Sequence, residues 1–416
     1  MLLQHPGINM KKKFFYGWII FACGFLYLFF TQGLVNGTFS LYMVPVTTDL
    51  GITRTQFSSV LSIRAVVGGI MAFFFGWSVK HIGFRKMSII GFCSYLIGFV
   101  AFASSKSYLG LLINGLCIGL GGIYMGASLI TYLITNWFYK KRGTVLGILL
   151  SATGFGTSVM SPLVGSMIAN HGWRYSYWMS LAIYAPMALI VVLLIREHPR
   201  NMGLEPYGGE PPVVGEGKNA VQEGLTVKQA LRMPSYYLMM LAVFLIGMVN
   251  NPIYNSVTAS VQDAGFGTQF ASMVVSILFF SVAVSKIIFG FGSDKLGLFR
   301  ISLVAMIANT LGVATVVFAS AQWHYIFFAV IFGMAISTET VMPPILVTQM
   351  LGERDRSYFL GISSACMSAG MALGNPLFNS FYDRTGTYHN GFILALVLTI
   401  IMAVILLIIE RKKKLY

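Results

Sequence analysis

Charge is what this sequence has least of. Only 10% of its 416 residues are Asp, Glu, Lys or Arg, and the acids number 13, where a water-soluble chain carries roughly a quarter charged residues. A soluble enzyme with a membrane anchor is therefore excluded. Cysteine is scarce too: Cys23, Cys93, Cys117 and Cys366 fall in apolar stretches without metal-ligand spacing, so packing roles are expected and neither a disulfide framework nor a metal site can be read. G-x-x-x-x-G-K-[ST], H-E-x-x-H and C-x-x-C are all missing, which removes the chemistry of ATP-driven pumps and of membrane metalloenzymes. No cofactor and no enzymatic activity are expected, and any work must draw on a gradient.

What the chain does have is apolar runs of about twenty residues, the length that crosses a bilayer core. Hydropathy places spans near 14–35, 55–77, 87–104, 108–135, 144–168, 175–195, 235–258, 269–292, 301–319, 324–349, 357–380 and 390–410. Twelve spans put both termini on one side. The loops on that side hold 22 of the 28 Lys and Arg, in clusters such as Lys11 to Lys13, Lys80–Arg85–Lys86 and Lys140–Lys141–Arg142; the opposite loops hold only Arg54, Lys106, Arg174 and Arg384. By the positive-inside rule the termini are cytoplasmic and the chain is multi-pass in the plasma membrane. The net charge of +15 is thereby a topology signal, and no nucleic-acid partner is expected. The apolar run after Lys13 passes twenty residues without a small-x-small cleavage site, so it reads as a retained span and not a signal peptide.

The one long polar stretch, 196–234, carries Pro199, Pro206, Pro211 and Pro212 and lies midway along the chain, as a linker would. The expected domains are an N-terminal six-helix bundle over 1–195, a cytoplasmic linker over 196–234 and a C-terminal six-helix bundle over 235–416. The halves are copies. At an offset of 214, Asp49 meets Asp263, Gly51 meets Gly265, Phe75-Gly76 meets Phe289-Gly290, Arg142 meets Arg356, Gly156 meets Gly370 and Pro162-Leu163 meets Pro376-Leu377, without a gap. Copies separated by an even number of spans share their orientation, so the fold class is an all-α membrane protein of twelve transmembrane helices in two six-helix parallel-repeat halves. Carriers of this build hold substrate near the midplane between the halves.

On these residues the chain resembles the major facilitator superfamily along its whole length. That family's signature loop, G-x-x-x-D-R-x-G-x-R-K, is matched after span eight by Gly290, Asp294, Lys295 and Gly297. After span two Gly76, Gly83, Arg85 and Lys86 are kept, but Lys80 stands where the acid is expected. Within the superfamily, FFYGWII at 14–20, NWFYKKRGTVLGILLSATGFG at 136–156, TVKQALRMPSYYLMML at 226–241 and GNPLFNSFYDRTGTYHNGF at 374–392 look like segments of monocarboxylate porters and their bacterial oxalate/formate-type relatives. The resemblance implies that Lys286, in KIIFG, stands where those porters present a substrate-binding Arg, with Val282 in place of their acidic partner. It also implies that Tyr124 stands where they carry a carboxylate-binding hydroxyl.

Ionisable residues within the hydrocarbon cost about 2.5–3.5 kcal/mol each on insertion scales and are functional candidates by default. There are three, Arg64, Lys286 and Glu339. Two cations against one acid favour an anionic substrate. Lys286, eight residues before Asp294 and so about 12 Å inside the membrane, binds a carboxylate as a point charge. Glu339, flanked by Ser337, Thr338 and Thr340, is the expected proton site, released from Lys286 when substrate arrives. Arg64, Tyr124, Asn250, Asn251, Tyr254 and Asn255 complete the expected binding set, and Pro343-Pro344 and Pro376 are expected to bend their spans. The function expected is secondary active transport of a small monocarboxylate (lactate, pyruvate or formate class) with proton symport, by a monomer in the lipid bilayer. An oxalate/formate-type exchanger and a non-transporting carboxylate sensor are the alternatives.

Overall fold

The computed structural model describes residues 15–140, 142–209, 224–296, 298–336, 339, 343, 346–347, 350–352 and 354–413; of 142–143, 287, 289–296, 298–302, 356–357 and 410–413 it describes the backbone alone. Lys11 to Lys13, Lys141, Gly297, Ser337, Thr338, Thr340 and Pro344 lie outside the described residues.

Span one is α1 (Gly17–Thr31), a π turn (Gln32–Asn36), a 3-10 turn (Phe39–Tyr42) and α2 (Met43–Leu50) in succession. Span two is α3 (Arg54–Phe73) with a short α4 (Phe75–His81), span three α5 (Phe84–Ala103), span four α6 (Tyr108–Tyr124) and α7 (Ala127–Trp137), span five α8 (Arg142–His171) and span six α9 (Trp173–Leu194). After a short α10 (Val227–Ala230) come α11 (Pro234–Val261), α12 (Gly267–Leu296), α13 (Leu298–Val317), α14 (Gln322–Ile336), α15 (Arg356–Thr385) and α16 (His389–Lys413), with helical residues between α14 and α15 at Glu339, Pro343, Leu346, Val347 and Met350. The turn from α11 into α12 needs residues without a Cβ, and Gly265 and Gly267 take it at φ 81° and 77°.

Among the described residues, eight helical stretches are long and apolar enough to cross a membrane, one of them, Pro234–Lys286, covering both α11 and part of α12. Two shorter apolar segments, Leu303–Val317 and Gln322–Ile336, fall in spans nine and ten. Helix α15 has the length but is rich in Ser, Ala and Gly, and the reason is its position. It packs tightly on α11, where a Cβ at Gly370 would meet the Phe244 carbonyl oxygen at 2.1 Å and one at Gly374 the Met248 carbonyl oxygen at 2.2 Å.

The repeat is visible in this packing. Gly33 of the π turn lies against the backbone of Gly156 in α8, and in the second half Gly247 of α11 lies against the Met367 backbone of α15 and Gly370 of α15 against the Phe244 backbone of α11; Gly247 and Gly370 are each 214 positions after Gly33 and Gly156. The halves meet along two seams related in the same way. In one, α8 lies on α12, with Ser161 Oγ donating to the Ser272 carbonyl at 2.8 Å and Ser276 Oγ to the Ser158 carbonyl at 2.6 Å. In the other, α3 lies on α15, with Ser62 Oγ donating to the Ala372 carbonyl at 2.6 Å. Small residues and hydroxyls let helices approach closely and shift against each other without a large apolar penalty.

Candidate functional site

A cavity of about 430 Å³ lies between the halves, its lining reaching Gly147, five residues from Arg142 on the basic face that also carries Lys80, Arg85, Lys86 and Lys140. Its polar wall is made by Lys286, Glu339, Thr153, Asn251, Tyr254 and Gln32, and its apolar wall by Phe279, Val282, Leu150 and Ile336. Lys286 is ten residues before the end of α12, about 15 Å inside it, too deep for its ammonium to reach water at the face. The ammonium donates instead to Thr153 Oγ1 at 3.1 Å, across the seam. Glu339 is near enough to Lys286 for the two to attract. Among the described residues they form no direct ion pair, and both line the cavity.

The polar face of α11 has a local cause. Pro252 within the helix cannot bond the carbonyl of Met248, and α15 fits against this stretch through Gly374. Around it Asn255 Nδ2 donates to Asn251 Oδ1 at 3.1 Å and to Asn375 Oδ1 at 3.3 Å. Of the residues singled out from sequence, Lys286, Glu339, Asn251 and Tyr254 thus share one cavity. Asn255 lies behind Asn251 and is fully buried. Asn250 turns instead to α13, where Asn309 Nδ2 donates to its Oδ1 at 3.0 Å. Tyr124 pairs with Ser78 at 3.0 Å inside the N-terminal half. Arg64 is not among the residues lining this cavity; its Nη2 donates to Asn114 of α6. Three lining residues escape a sequence reading that follows charge. Gln32 and Thr153 are neutral, and Phe279 looks like any core aromatic; the one available signal was an amide, Gln32, in an otherwise apolar first span.

The opposite face is shut by a cluster that hydropathy treats as loop. Arg54 forks onto Asp263 with two hydrogen bonds of 2.5 Å, donates to the Tyr388 hydroxyl at 2.9 Å and lies 3.6 Å over the Tyr382 ring. The Asp383 carboxylate accepts the backbone N–H groups of Arg54 at 3.0 Å and Thr55 at 2.9 Å. It caps α3 from the other half, beside the capping box that Thr53 forms with Gln56. From there a chain of hydrogen bonds runs inward: Tyr388 hydroxyl to Asn379 Oδ1 at 3.0 Å, Asn379 Nδ2 to the Asn375 carbonyl at 2.8 Å, and Asn375 Nδ2 to the cavity-lining Asn251 at 3.4 Å. At the basic face, by contrast, α3 and α15 have parted into a groove of about 930 Å³ between Phe73–Gly76 and Tyr358–Cys366. The structure is closed at one end and open at the other.

Comparison with known proteins agrees with this architecture. The model of the Major Facilitator Superfamily matches residues 20–340 and 240–415. An MFS-type transporter of Gibberella moniliformis is 23% identical over 371 residues, 85% of this chain and 81% of its own. The sialic acid transporter NanX of Escherichia coli is 22% identical over 69% of this chain and 67% of its own. Monocarboxylate transporter 12-B of Danio rerio is 22% identical over 71% of this chain and 66% of its own. Among solved structures, the nucleoside transporter NupG superposes with a TM-score of 0.71 at 14% identity, over 95% of this chain and 99% of that one. Both repeat halves, their two seams and the midplane cavity lie within these matches: the chain belongs to the major facilitator superfamily.

Proposed function

We propose that this membrane transporter carries a small monocarboxylate of the lactate, pyruvate or formate class together with a proton, by rocking its halves about the midplane. The basic face is cytoplasmic on this reading, by the positive-inside rule, and the latched face is outside. The observation that supports it is Lys286, a cation held about 15 Å within the membrane whose contact in the cavity is a neutral hydroxyl, Thr153. Burying a charge without a tight counter-ion is costly, and a substrate carboxylate removes the cost. Glu339 faces the same space. When the substrate carboxylate occupies Lys286, Glu339 loses its attraction to that ammonium and takes up a proton, so that one anion and one proton travel together. Asn251, Tyr254 and Gln32 supply hydrogen bonds to the rest of the substrate, with Asn250 and Asn255 holding the polar face of α11 in place. Tyr124 braces α6 against α4. Two of the relatives above are named for transport of carboxylic acids.

The test is counterflow in proteoliposomes with labelled lactate, pyruvate, formate and oxalate, followed by the Glu339→Gln variant. With a permanently neutral group at 339, labelled and unlabelled substrate still exchange, since only the loaded carrier must reorient. Accumulation driven by an acidic exterior disappears, because the empty carrier must return with Lys286 unpaired. Failure of wild type to move any of the four acids defeats the reading, and accumulation by Glu339→Gln equal to wild type moves the proton site elsewhere.

A further inference from the structure

Arg64 is the second cation inside the membrane, and the cavity does not use it. It sits ten residues into α3, between the outer latch and the cavity. Its Nη2 donates to Asn114 Oδ1 at 2.5 Å, its guanidinium lies 3.9 Å over the Phe39 ring, and its Nε is shut away with no partner. The hydroxyls of Tyr95 and Tyr177 lie nearby. Gly119, against the backbone of Arg64, lets α6 come close enough for Asn114 to reach. Among the described residues no carboxylate pairs with Arg64. The contrast on the same helix is plain: Arg54 has Asp263, while Arg64 has an amide and a ring, which offset only part of the cost of a buried charge.

We infer that Arg64 is a second carboxylate station, presented to the outside when the latch opens, from which the anion passes to Lys286. This rests on the carboxylate reading of the Lys286 cavity. Depth separates the two cations. Helices α3 and α12 begin level with each other, because Arg54 at the start of α3 bonds Asp263, four residues before Gly267. Arg64 is then about 15 Å below the outer end and Lys286 about 28 Å, backbone positions about 13 Å apart along the path, and their head groups are held apart, one by Asn114 and the other by Thr153. They act in sequence. Phe39 and Asn114, which hold Arg64, and Tyr95 and Tyr177 beside it belong to the N-terminal half and move with it. Tyr254, whose phenol is near enough to feel the Arg64 charge and which also lines the main cavity, belongs to the other half. When the outer ends separate, Tyr254 withdraws and the unpartnered Nε edge of Arg64 faces the outer vestibule.

The experiment measures initial uptake of labelled lactate and, separately, oxalate into oriented proteoliposomes from the outer and from the inner face. Arg64→Gln raises KM from the outer face about tenfold or more, the loss of a charged hydrogen bond, while KM from the inner face stays within about twofold; Arg64→Lys recovers part of the loss. Asn114→Asp separates binding from packing. It places a counter-ion on Arg64 that occupies a binding site, at the cost of the bonds Asn114 Nδ2 gives to the Gly98 carbonyl and the Tyr177 hydroxyl, so it also raises the outer KM selectively. Thermal midpoints of the variants check folding, and Asn114→Asp keeps the test decisive if Arg64→Gln does not fold. An unchanged outer KM in Arg64→Gln or Asn114→Asp, or equal changes on both faces, overturns the second station and leaves the Lys286 cavity standing. Wild type that carries neither acid overturns the carboxylate reading itself.

Discussion

The two ends of the molecule are made from the same repeat and hold together differently. At the latched end, a cation of the N-terminal half meets acids of the C-terminal half, Arg54 with Asp263 and the start of α3 with Asp383. The repeat mate of Asp263 is Asp49, which is engaged within its own half by Arg174 at 2.5 Å. The acids are thus divided: one copy steadies a half and the other closes the seam. At the basic end the copies diverge the other way. Lys80 occupies the position equivalent to Asp294 and is exposed, as is Arg354 at the approach to α15. A cation in the place of an acid offers no latch there. The difference teaches where the halves are tied: the cross-half acids stand at the latched end, and the groove lies at the other.

If the cavity belongs to the open end, its cation should dominate binding measured on the resting protein. Lys286→Ala is expected to lower carboxylate affinity by about 10- to 100-fold, the range of a charge-assisted hydrogen bond, in a titration of purified protein, whereas Lys286→Arg keeps part of it. Unchanged affinity in Lys286→Ala removes the cavity from the argument. The next effect breaks the comparison directly. Arg54→Ala deletes the latch and leaves Asp263 without its partner. The pair is half-shielded, with Asp263 at 26% exposure, so about 2 kcal/mol, below the 3–5 of a fully buried pair, is expected to shift the population about thirtyfold toward the outward-open form. Cys366 lines the groove at the basic end and reports on it. In a background with Cys23, Cys93 and Cys117 replaced by Ser, its maleimide labelling should slow, and labelling at the wild-type rate would mean the latch does not set the direction.

Architecture was readable from sequence because it rests on signals that local chemistry enforces. Apolar length and the placement of Lys and Arg follow from the bilayer, and the register of 214 follows from duplication; the Gly33–Gly156 and Gly247–Gly370 crossings are that register in three dimensions. The cavity was legible where it is charged, at Lys286 and Glu339, and where an amide lies deep in a span, at Asn251. It was not legible at Gln32 and Thr153, whose neutral side chains are common in helices, nor at the latch. Arg54, Asp263 and Asp383 are ordinary loop-edge residues until folding brings together positions more than 200 apart. Pairing across a seam leaves no periodicity to read. Asn250 illustrates the reverse error: adjacent to Asn251 on a helix, it points about 100° away and meets α13.

A smaller change tests whether the two ends communicate through the amide chain. Tyr388 accepts from Arg54 and donates to Asn379, so Tyr388→Phe keeps the ring and removes the link. A loss of about 1 kcal/mol weakens the closed outer end about fivefold, seen again as slower labelling of Cys366. In the double variant with Asn251→Ala, the two effects on labelling should fall short of their product if the chain couples cavity to latch; full additivity would reduce it to packing.

The smallest change rebuilds at the open end what the latched end has. Lys80→Asp restores an acid at the position equivalent to Asp294, four residues after Gly76, which borders the groove against α15. An acid near a helix N-terminus is stabilised by the partial positive charge of the free N–H groups, as Asp383 is at the start of α3. The site is solvent-exposed, so the gain is about 0.2–1 kcal/mol, a shift of up to about fivefold toward the form closed at the basic face. Its sign is the informative part. Removing a cation and adding an anion both favour a latch across the gap, so Cys366 labelling should slow, and more so at low ionic strength, where the screening length is longer. Were labelling unchanged or faster in Lys80→Asp at low salt, the absent acid would not be what holds the basic face open, and the contrast between the ends would rest on the outer latch alone.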